Sequence, residues 1–262
     1  MNPLIRRQTL GDLLRRSAAR NPNKTAIVCG GTSWTYAEFD AICNRLANGL
    51  IASGVKTGDR VAMLSRNSHA FAAVRFALAR MGAVLVPINF MLNAEEVAYI
   101  LRHCGAKVLW TGPDMVELGR KAAAQDTQVQ RLLWLPGEDP AEPPAGMEHF
   151  EGLLSADASE PQAEVDARSL LQIIYTSGTE SLPKGAMLTH EAVCWEYVSC
   201  LVEGEITAGD LILHALPLYH CAQLDVFLGP GLYVGATNVI TGKPVPDNLL
   251  ALLAKHRVNS FF

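Results

Sequence analysis

The stretch of this sequence best suited to chemistry runs from residue 170 to residue 190, LLQIIYTSGTESLPKGAMLTH. It opens with an apolar run that is long enough for a buried strand and too short for a stable helix. The run then breaks into Thr-Ser-Gly-Thr at 176–179, and Pro-Lys-Gly follows at 183–185. Small residues let backbone N–H groups approach an anion, hydroxyl groups add donors, and Lys184 supplies positive charge. The pattern predicts a strand that leads into a phosphate-binding loop, with a plain surface turn as the alternative.

Two common catalytic loops do not fit this spacing. A P-loop requires G-x-x-x-x-G-K followed by Ser or Thr, whereas Pro183 stands directly before Lys184. A hydrolase nucleophile elbow requires G-x-S-x-G, whereas Ser177 has Thr176 before it and Gly178 after it. The hydrolase motif is therefore excluded, and a P-loop ATPase is left as a weak rival.

The stretch resembles the phosphate loop of the AMP-forming acyl-CoA synthetases, whose usual form is T-S-G-T-T-G-x-P-K-G. These enzymes belong to the adenylate-forming superfamily, which includes firefly luciferase. Glu180 and Ser181 stand where the family usually has Thr and Gly. Because a triphosphate would repel an inward carboxylate, we expect Glu180 to turn outward and Ser181 to keep a negative φ. The resemblance extends over most of the chain through WTYAEFDAICNRLANGL, VKTGDRVAML and RMGAVLVPINFMLNAEEVAYIL.

A second candidate lies in the segment LPLYH, at 216–220, which follows a predicted strand. The segment is similar to a P-L/M-F-H segment of the same family, in which the aromatic residue and the His line the junction between the acyl pocket and the ATP site. Ligands in open α/β sheets bind outside the carboxyl ends of the strands. We therefore predict a functional role for His220, and the alternative is an ordinary hydrogen-bonded structural histidine.

The resemblance implies an acid-thiol ligase. Such an enzyme uses Mg·ATP to convert a carboxylic acid into an acyl-adenylate and pyrophosphate, then passes the acyl group to CoA. The implied cofactors are ATP, Mg²⁺ and CoA, and general similarity favours a fatty acid over an aryl acid. The implied catalytic residues are Lys184 and His220, the residues implied to hold the phosphates are Thr176, Ser177, Gly178, Thr179, Lys184 and Gly185, and Thr179 is also implied to lie at Mg²⁺.

Composition excludes several other classes of protein. The 262 residues are 49% hydrophobic and 18% charged, enough apolar sequence for a large core. A net charge of -4 gives no electrostatic reason to bind nucleic acid or an anionic membrane. No apolar run reaches transmembrane length, and the six cysteines form no C-x-x-C pair. We expect a cytoplasmic protein with reduced thiols, and we leave homo-oligomer formation open.

Helical and strand periodicities alternate along the chain, which is typical of βαβ units over a mostly parallel sheet. The predicted fold class is α/β, with mostly parallel sheets and helices on both faces. The predicted helices begin with one capped by Thr9 and ended by Asn21, followed by Asp40–Ala52, Ala70–Met81, Ala94–Arg102, Glu191–Val202 and Asn248–His256. The predicted strands are Thr25–Cys29, Thr32–Tyr36, Arg60–Leu64, Ala83–Pro87, Ala106–Thr111, one from Leu170, Asp210–Ala215, Ala236–Ile240 and Val258–Phe262, with an exposed loop over 125–147.

The last residues, VNSFF, predict a strand with an unpaired apolar edge. The resemblance implies further motifs, G-Y-G-x-T-E and T-G-D, a hinge and a small C-terminal domain with the adenylation Lys, and the sequence contains none of these motifs. We therefore expect residues 1–262 to be an incomplete, truncated N-terminal AMP-binding domain with its phosphate loop at 176–185, inactive alone. The alternative is a non-catalytic truncated paralogue that binds nucleotide or a partner protein.

Overall fold

Two β-sheets carry the fold in the computed structural model, which describes residues 7–176 and 182–262. Both sheets are mostly parallel, because helices connect most of their strands. The strands are β1 (Thr25–Cys29), β2 (Thr32–Thr35), β3 (Arg60–Leu64), β4 (Val84–Pro87), β5 (Val108–Thr111), β6 (Arg131–Trp134), β7 (Glu148–His149), β8 (Leu170–Thr176), β9 (Lys184–Thr189), β10 (Leu211–His214), β11 (Thr237–Ile240) and β12 (Ser260–Phe261).

The two sheets differ in their number of strands, and each has one antiparallel pair at an edge. The first has the order β12-β10-β11-β1-β2, and its β1–β2 pair is antiparallel. The second has the order β7-β6-β5-β3-β4-β8-β9, and its β8–β9 pair is antiparallel. Each sheet therefore ends in an antiparallel hairpin at one edge, whereas its other neighbouring strands run parallel.

The helices lie between the sheets and on their outer faces. They are α1 (Leu10–Arg20), α2 (Tyr36–Ala52), α3 (His69–Met81), α4 (Ala94–Cys104), α5 (Val116–Ala123), α6 (His190–Glu203), α7 (Gly229–Val234) and α8 (Pro246–His256), and a π-helical segment spans Ala222–Leu228. Helix α3 contacts both β1 and β4, so it lies between the two sheets. Helices α4 and α5 pack in a separate core on the other face of the seven-stranded sheet. The predicted fold class is confirmed.

Most predicted elements are confirmed, and several boundaries and elements differ from the prediction. Helix α2 begins at Tyr36 rather than Asp40, because Thr35 caps it together with Glu38: the Thr35 N–H donates to Glu38 Oε2 at 2.7 Å. Strands β6, β7 and β9 and helices α5 and α7 had not been predicted. Strand β9 begins at Lys184, inside the predicted phosphate loop.

The proline-rich loop after β6 was predicted to be an exposed connector, and it is tied to the other sheet. Glu138 Oε2 accepts hydrogen bonds from the Thr241 hydroxyl and the Gly242 N–H, both at 2.9 Å. Asp139 forms a salt bridge with Lys243 at 2.6 Å. The loop therefore joins the carboxyl ends of β6 and β11 across the two sheets.

A fully buried histidine, His214, lies at the end of β10. Its Nε2 is 2.9 Å from Asn238 Oδ1, and its Nδ1 is 2.7 Å from the Gln223 amide nitrogen. Asn238 donates its own amide protons to backbone carbonyls, so His214 Nε2 carries the ring proton and Nδ1 accepts. Burial lowers the pKa of His214 to about 4. The ring is therefore neutral at neutral pH.

The buried histidines predict a pH dependence of stability. For His214 the pKa is about 4 in the folded state and 6.5 in the unfolded state, so the unfolded state binds more protons between these values. Stability is then complete above pH 6.5 and decreases as the pH falls toward 4. From pH 7 to pH 5 we expect a loss of roughly 2 kcal/mol from one such histidine. Burial also lowers the pKa of His69 and of His190 to about 4, which adds to the loss.

Urea denaturation at pH 7 and pH 5 measures this loss. We expect His214→Gln to lower the free energy of unfolding at pH 7. The variant should also show a smaller difference in that free energy between pH 7 and pH 5, because glutamine does not titrate. A parent protein equally stable at both pH values would contradict the prediction.

Candidate functional site

The β8–β9 hairpin positions the first group of predicted site residues. Thr176, the last residue of β8, is paired with Lys184, the first residue of β9, and both are exposed. Residues paired across antiparallel strands have Cα atoms about 4.5–5.5 Å apart. The two side chains therefore start from adjacent positions at the loop end of the hairpin. The end residues of the stretch predicted as the phosphate loop are therefore in strands, and its binding role stays a prediction.

The centre of the predicted phosphate loop lies outside the described residues. The predictions affected are the phosphate contacts of Ser177, Gly178 and Thr179, the Mg²⁺ contact of Thr179, and the orientation of Glu180 and Ser181. All of these stay predictions.

Gly185 has a packing reason for being glycine. It lies opposite Tyr175 on β8. A Cβ at this position would stand 2.7 Å from Ile173 Cγ2 and 3.2 Å from Tyr175 Cζ. Because real Cβ atoms essentially never come within 3.0 Å of another atom, a larger residue here would force its cross-strand neighbours to shift, whether or not a phosphate binds nearby.

A short chain of aromatic rings supports the hairpin from helix α4. The Tyr175 hydroxyl is 2.6 Å from His103 Nδ1, and the His103 ring stacks on Tyr99 at 5.5 Å between centroids. The Tyr99 hydroxyl donates to the Pro183 carbonyl at 3.3 Å. Burial raises the pKa of Tyr175, so its phenol stays neutral. These contacts hold the residue directly before Lys184 against α4.

His220 lies in the turn after β10 and is exposed. Its Nδ1 accepts a hydrogen bond from the Ala222 N–H at 3.1 Å. The neutral ring therefore carries its proton on Nε2, which can donate to a ligand oxygen. The backbone turn is closed by the His220 N–H, which donates to the Pro217 carbonyl at 3.1 Å.

One cavity joins the two predicted groups. It has a volume of about 250 Å³ and lies between the ends of β4 and β8 and the segment after β10. Thr176 and His220, which are far apart in sequence and belong to different sheets, both line it. Lys184 and Gly185 do not line the cavity. Pro183, directly before Lys184, lines it from the same part of the hairpin. Among residues 7–176 and 182–262, the lining consists of Pro87, Asn89, Leu92, Ile100, Ile174, Tyr175, Thr176, Pro183, Tyr219, His220 and Cys221.

Asn67 holds the segment that carries His220. Its Oδ1 accepts from the Leu218 N–H at 2.7 Å, and its Nδ2 donates to the carbonyls of Leu216 and Thr241 at 2.8 and 3.0 Å. Asn67 follows β3 in the other sheet and is 5% exposed. Sequence analysis missed this residue, because its partners lie about 150 positions away and leave no local pattern.

Aromatic contacts extend from the cavity to a surface ion pair. Tyr219 packs edge-on against Phe90 at 5.2 Å between centroids, and the Arg66 guanidinium lies 4.8 Å above the Phe90 ring. Arg66 also pairs with Asp114 at 2.6 Å. The aromatic side of the cavity is thus fixed by residues from the ends of β3, β4 and β5, which sequence analysis also missed.

The cavity does not hold an activated cysteine. Cys221 Sγ is 3.8 Å from His220 Nδ1, which already accepts from the Ala222 N–H. Burial and the nearby charge of Asp225 raise the pKa of the Cys221 thiol, so it stays protonated. The groups presented here are donors: a Thr hydroxyl, a His N–H and a nearby ammonium group. Such a set suits the binding of carboxylate and phosphate oxygens rather than nucleophilic attack by the protein.

The described residues show neither a cluster of metal ligands nor a membrane-spanning helix. Across 7–176 and 182–262, no group of three or more His, Cys, Asp and Glu side chains is arranged to hold a metal ion. Within the same ranges, no helix has the length and apolar character needed to cross a membrane.

Comparison with known proteins shows which family the chain resembles. Residues 14–262 match the family model for AMP-binding enzyme. The chain is 37% identical over 258 residues to a feruloyl-CoA synthase from Amycolatopsis sp, an alignment that covers 98% of the chain and 49% of that protein. It is 35% identical to an indoleacetate–CoA ligase from Aromatoleum aromaticum, over 95% of the chain and 48% of the ligase.

A solved structure of a related protein also resembles this chain. The inhibitor-bound N-terminal domain of FACL13 from Mycobacterium tuberculosis superposes with a TM-score of 0.85 at 32% identity, covering 96% of this chain and 61% of that one. The chain spans about half the length of the curated relatives described above. Because the family model covers nearly all of its residues, the chain belongs to the AMP-binding enzyme family.

Proposed function

We propose that this chain is the nucleotide-binding part of an acid-thiol ligase, which activates a carboxylic acid as an acyl-adenylate and transfers it to CoA. The observation that carries the proposal is the shared cavity, where Thr176 and His220 meet from different sheets. Relatives that are CoA ligases by name support the reaction class. The alternative, a non-catalytic paralogue that binds nucleotide or a partner, shares the fold and differs in activity.

The hairpin end would bind the triphosphate. Lys184 and Thr176 place a positive charge and a hydroxyl next to each other there. Charge-assisted hydrogen bonds of this kind are about twice as strong as neutral ones. In the proposal, Ser177, Gly178 and Thr179 add their hydroxyl and backbone donors, and Thr179 contributes its hydroxyl at Mg²⁺. Bound Mg²⁺ would neutralise charge on the phosphates.

His220 would orient the acid. Because the Ala222 N–H already occupies Nδ1, the free nitrogen of the neutral ring is the Nε2–H donor. A donor at this position can hold one carboxylate oxygen while the other faces the α-phosphate. Correct orientation of two reacting groups lowers a barrier without covalent participation by the protein. The role proposed for His220 is therefore binding and positioning of the carboxylate.

The substrate proposal follows the apolar side of the cavity. Leu92, Ile100 and Ile174 line it and would contact the acyl group. We propose a fatty acid, although relatives named for aryl acids and one named for long-chain fatty acids are similarly identical to the chain. All six cysteines are free thiols, in keeping with the proposed cytoplasmic location.

ATP–pyrophosphate exchange tests the reaction. The chain is fused to the C-terminal half of one of the ligases that it resembles and incubated with Mg·ATP, labelled pyrophosphate and a panel of fatty and aryl acids, and the chain alone, which we expect to be inactive, is assayed beside it. Acid-dependent exchange, strongest with fatty acids, is the expected result. Exchange with aryl acids alone would overturn the substrate proposal. Binding of Mg·ATP without acid-dependent exchange would favour the non-catalytic alternative.

Lys184→Ala should weaken Mg·ATP binding, because it removes a charge-assisted contact. We expect the Kd to rise by roughly tenfold to a hundredfold, equivalent to about 1.5–3 kcal/mol. Isothermal titration calorimetry measures the Kd, and the melting temperature should not change, since Lys184 is exposed. The matched control is Lys56→Ala, at another exposed lysine. An equal loss in both variants, or no loss in Lys184→Ala, would show that the hairpin end does not hold the phosphates.

Gly185→Ala should destabilise the protein whether or not nucleotide is present. The new Cβ would meet Ile173 and Tyr175, and overpacking of this kind typically costs about 1–3 kcal/mol. Chemical denaturation without ligand measures the change. Gly31→Ala is the control, because its Cβ would meet no atom within 4 Å and its φ is not positive. A variant of parental stability with weaker Mg·ATP binding would instead assign Gly185 to the phosphate site.

A further inference from the structure

A closed ring of polar side chains is buried between the sheets, behind the candidate site. Arg75 on α3 donates from Nη1 to Gln172 Oε1 and from Nη2 to Asp225 Oδ1. Gln172 Nε2 in turn donates to Asp225 Oδ2 at 2.7 Å, which closes the ring. The Tyr197 hydroxyl on α6 accepts from Arg75 Nη2 at 3.1 Å. All four side chains are at most 1% exposed.

Stability alone does not account for such a ring. Removing a guanidinium and a carboxylate from water is costly, and well-packed apolar residues of similar size are often as stabilising or more so. Burial lowers the pKa of Arg75, but Asp225, Tyr197 and Glu196 together raise it and the net shift is upward, so Arg75 stays charged. Each bond also fixes a donor opposite an acceptor, so the ring defines one arrangement of the elements that contribute to it.

Two of those elements depart from regular geometry where they supply the ring. Strand β8 has a bulge: Leu170 pairs with Thr189, and Gln172 pairs with the adjacent Leu188, so Leu171 is the extra residue. Bulges redirect side chains and occur often beside functional sites. Leu171 already packs in the core between the sheets, so the bulge lets Gln172 point the same way.

The second irregular element is the segment that carries Asp225. This residue lies within the π-helical stretch Ala222–Leu228, which begins directly after His220 and Cys221. π-Helical turns are rare and frequent at functional sites. The ring therefore connects the strand that ends in Thr176 with the segment that starts after His220, and these residues line the cavity.

We infer that Arg75, Gln172 and Asp225 are positioning residues that set the distance between the Thr176 and His220 walls of the cavity. The inference rests on the proposed function in taking that cavity as the site. The residues of the ring do not line the cavity. They are connected to it because Gln172 belongs to β8 and Asp225 belongs to the π-helical segment. Its loss should shift the start of the π-helical segment without unfolding the protein.

An all-apolar variant separates positioning from stability. It carries Arg75→Met, Gln172→Met, Asp225→Leu and Tyr197→Phe, so no buried polar partner is left over. The reporter is Cys221, which lines the cavity in the segment that should move. Its alkylation rate with N-ethylmaleimide is measured by peptide mass spectrometry. The rate at Cys104, a half-buried thiol on α4, is the internal reference.

A matched control removes another buried arginine cluster from the same helix. Arg80 donates to the Asp40 carboxylate, the Asp40 carbonyl and Asn44 Oδ1, all on α2 and away from β8 and the π-helical segment. The control variant carries Arg80→Met, Asp40→Leu and Asn44→Leu. It tests whether loss of any buried cluster on α3 produces the same signal.

We expect the melting temperature of the all-apolar variant to be unchanged or higher. We also expect alkylation of Cys221 to be faster by at least about fivefold relative to Cys104, which corresponds to about 1 kcal/mol in the equilibrium that exposes the thiol. The control variant should leave the ratio unchanged. An unchanged ratio in a stable all-apolar variant would overturn the inference. Equal acceleration at the buried Cys29, Cys43 and Cys194 would also overturn it, since that pattern indicates general loosening.

A second variant covers the case in which the all-apolar variant does not fold. Gln172→Met removes the β8 side of the ring and leaves the Arg75–Asp225 pair, so the same increase at Cys221 is expected, and an unchanged ratio contradicts the inference. The alkylation ratio needs no nucleotide. Failure of the proposed function would appear separately, as absence of Mg·ATP binding by the parent protein.

Discussion

The burial of helix α3 on all sides is the constraint on which the rest of the structure depends. All 13 of its residues are buried, because it lies between the two sheets with α1 and α2 beside it. Protein interiors pack as densely as organic crystals, so a helix in this position must be narrow. Five alanines satisfy that requirement: Ala70, Ala72, Ala73, Ala77 and Ala79. Arg75 and Arg80 are its two arginines, and each donates to its own set of polar partners.

The same constraint brings the carboxyl ends of the two sheets together. With α3 fixed between them, the end of β8 and the turn after β10 face one cavity, and Asn67 joins the end of β3 to the His220 segment. The Glu138 contacts to Thr241 and Gly242 repeat this connection further along the edge. The site is therefore built from side chains that cross between sheets, supported by ordinary parallel-strand topology.

Sequence alone predicted the elements whose signals are local. The strand Arg60–Leu64 has the predicted bounds, and the Thr9 cap was found because its hydrogen bonds close within three residues. Strand β9 was missed because half of its residues are exposed and its partner, β8, supplies the pairing. The Thr35–Glu38 capping box was a local signal that could have placed the start of α2. Asn67, His103 and Asp225 could not have been predicted, since their partners lie more than 50 residues away.

The central claim is that Thr176 and His220 bind one ligand together. The most direct measurement is NMR of the histidine ring ¹H–¹⁵N signals during titration with a hydrolysis-resistant acyl-sulfamoyl adenosine, with His220 assigned from the His220→Gln variant. We predict a saturable shift of the His220 signal, weaker binding in Thr176→Val, and an unmoved signal from the buried His214. Saturable binding that leaves the His220 signal unmoved would contradict the claim.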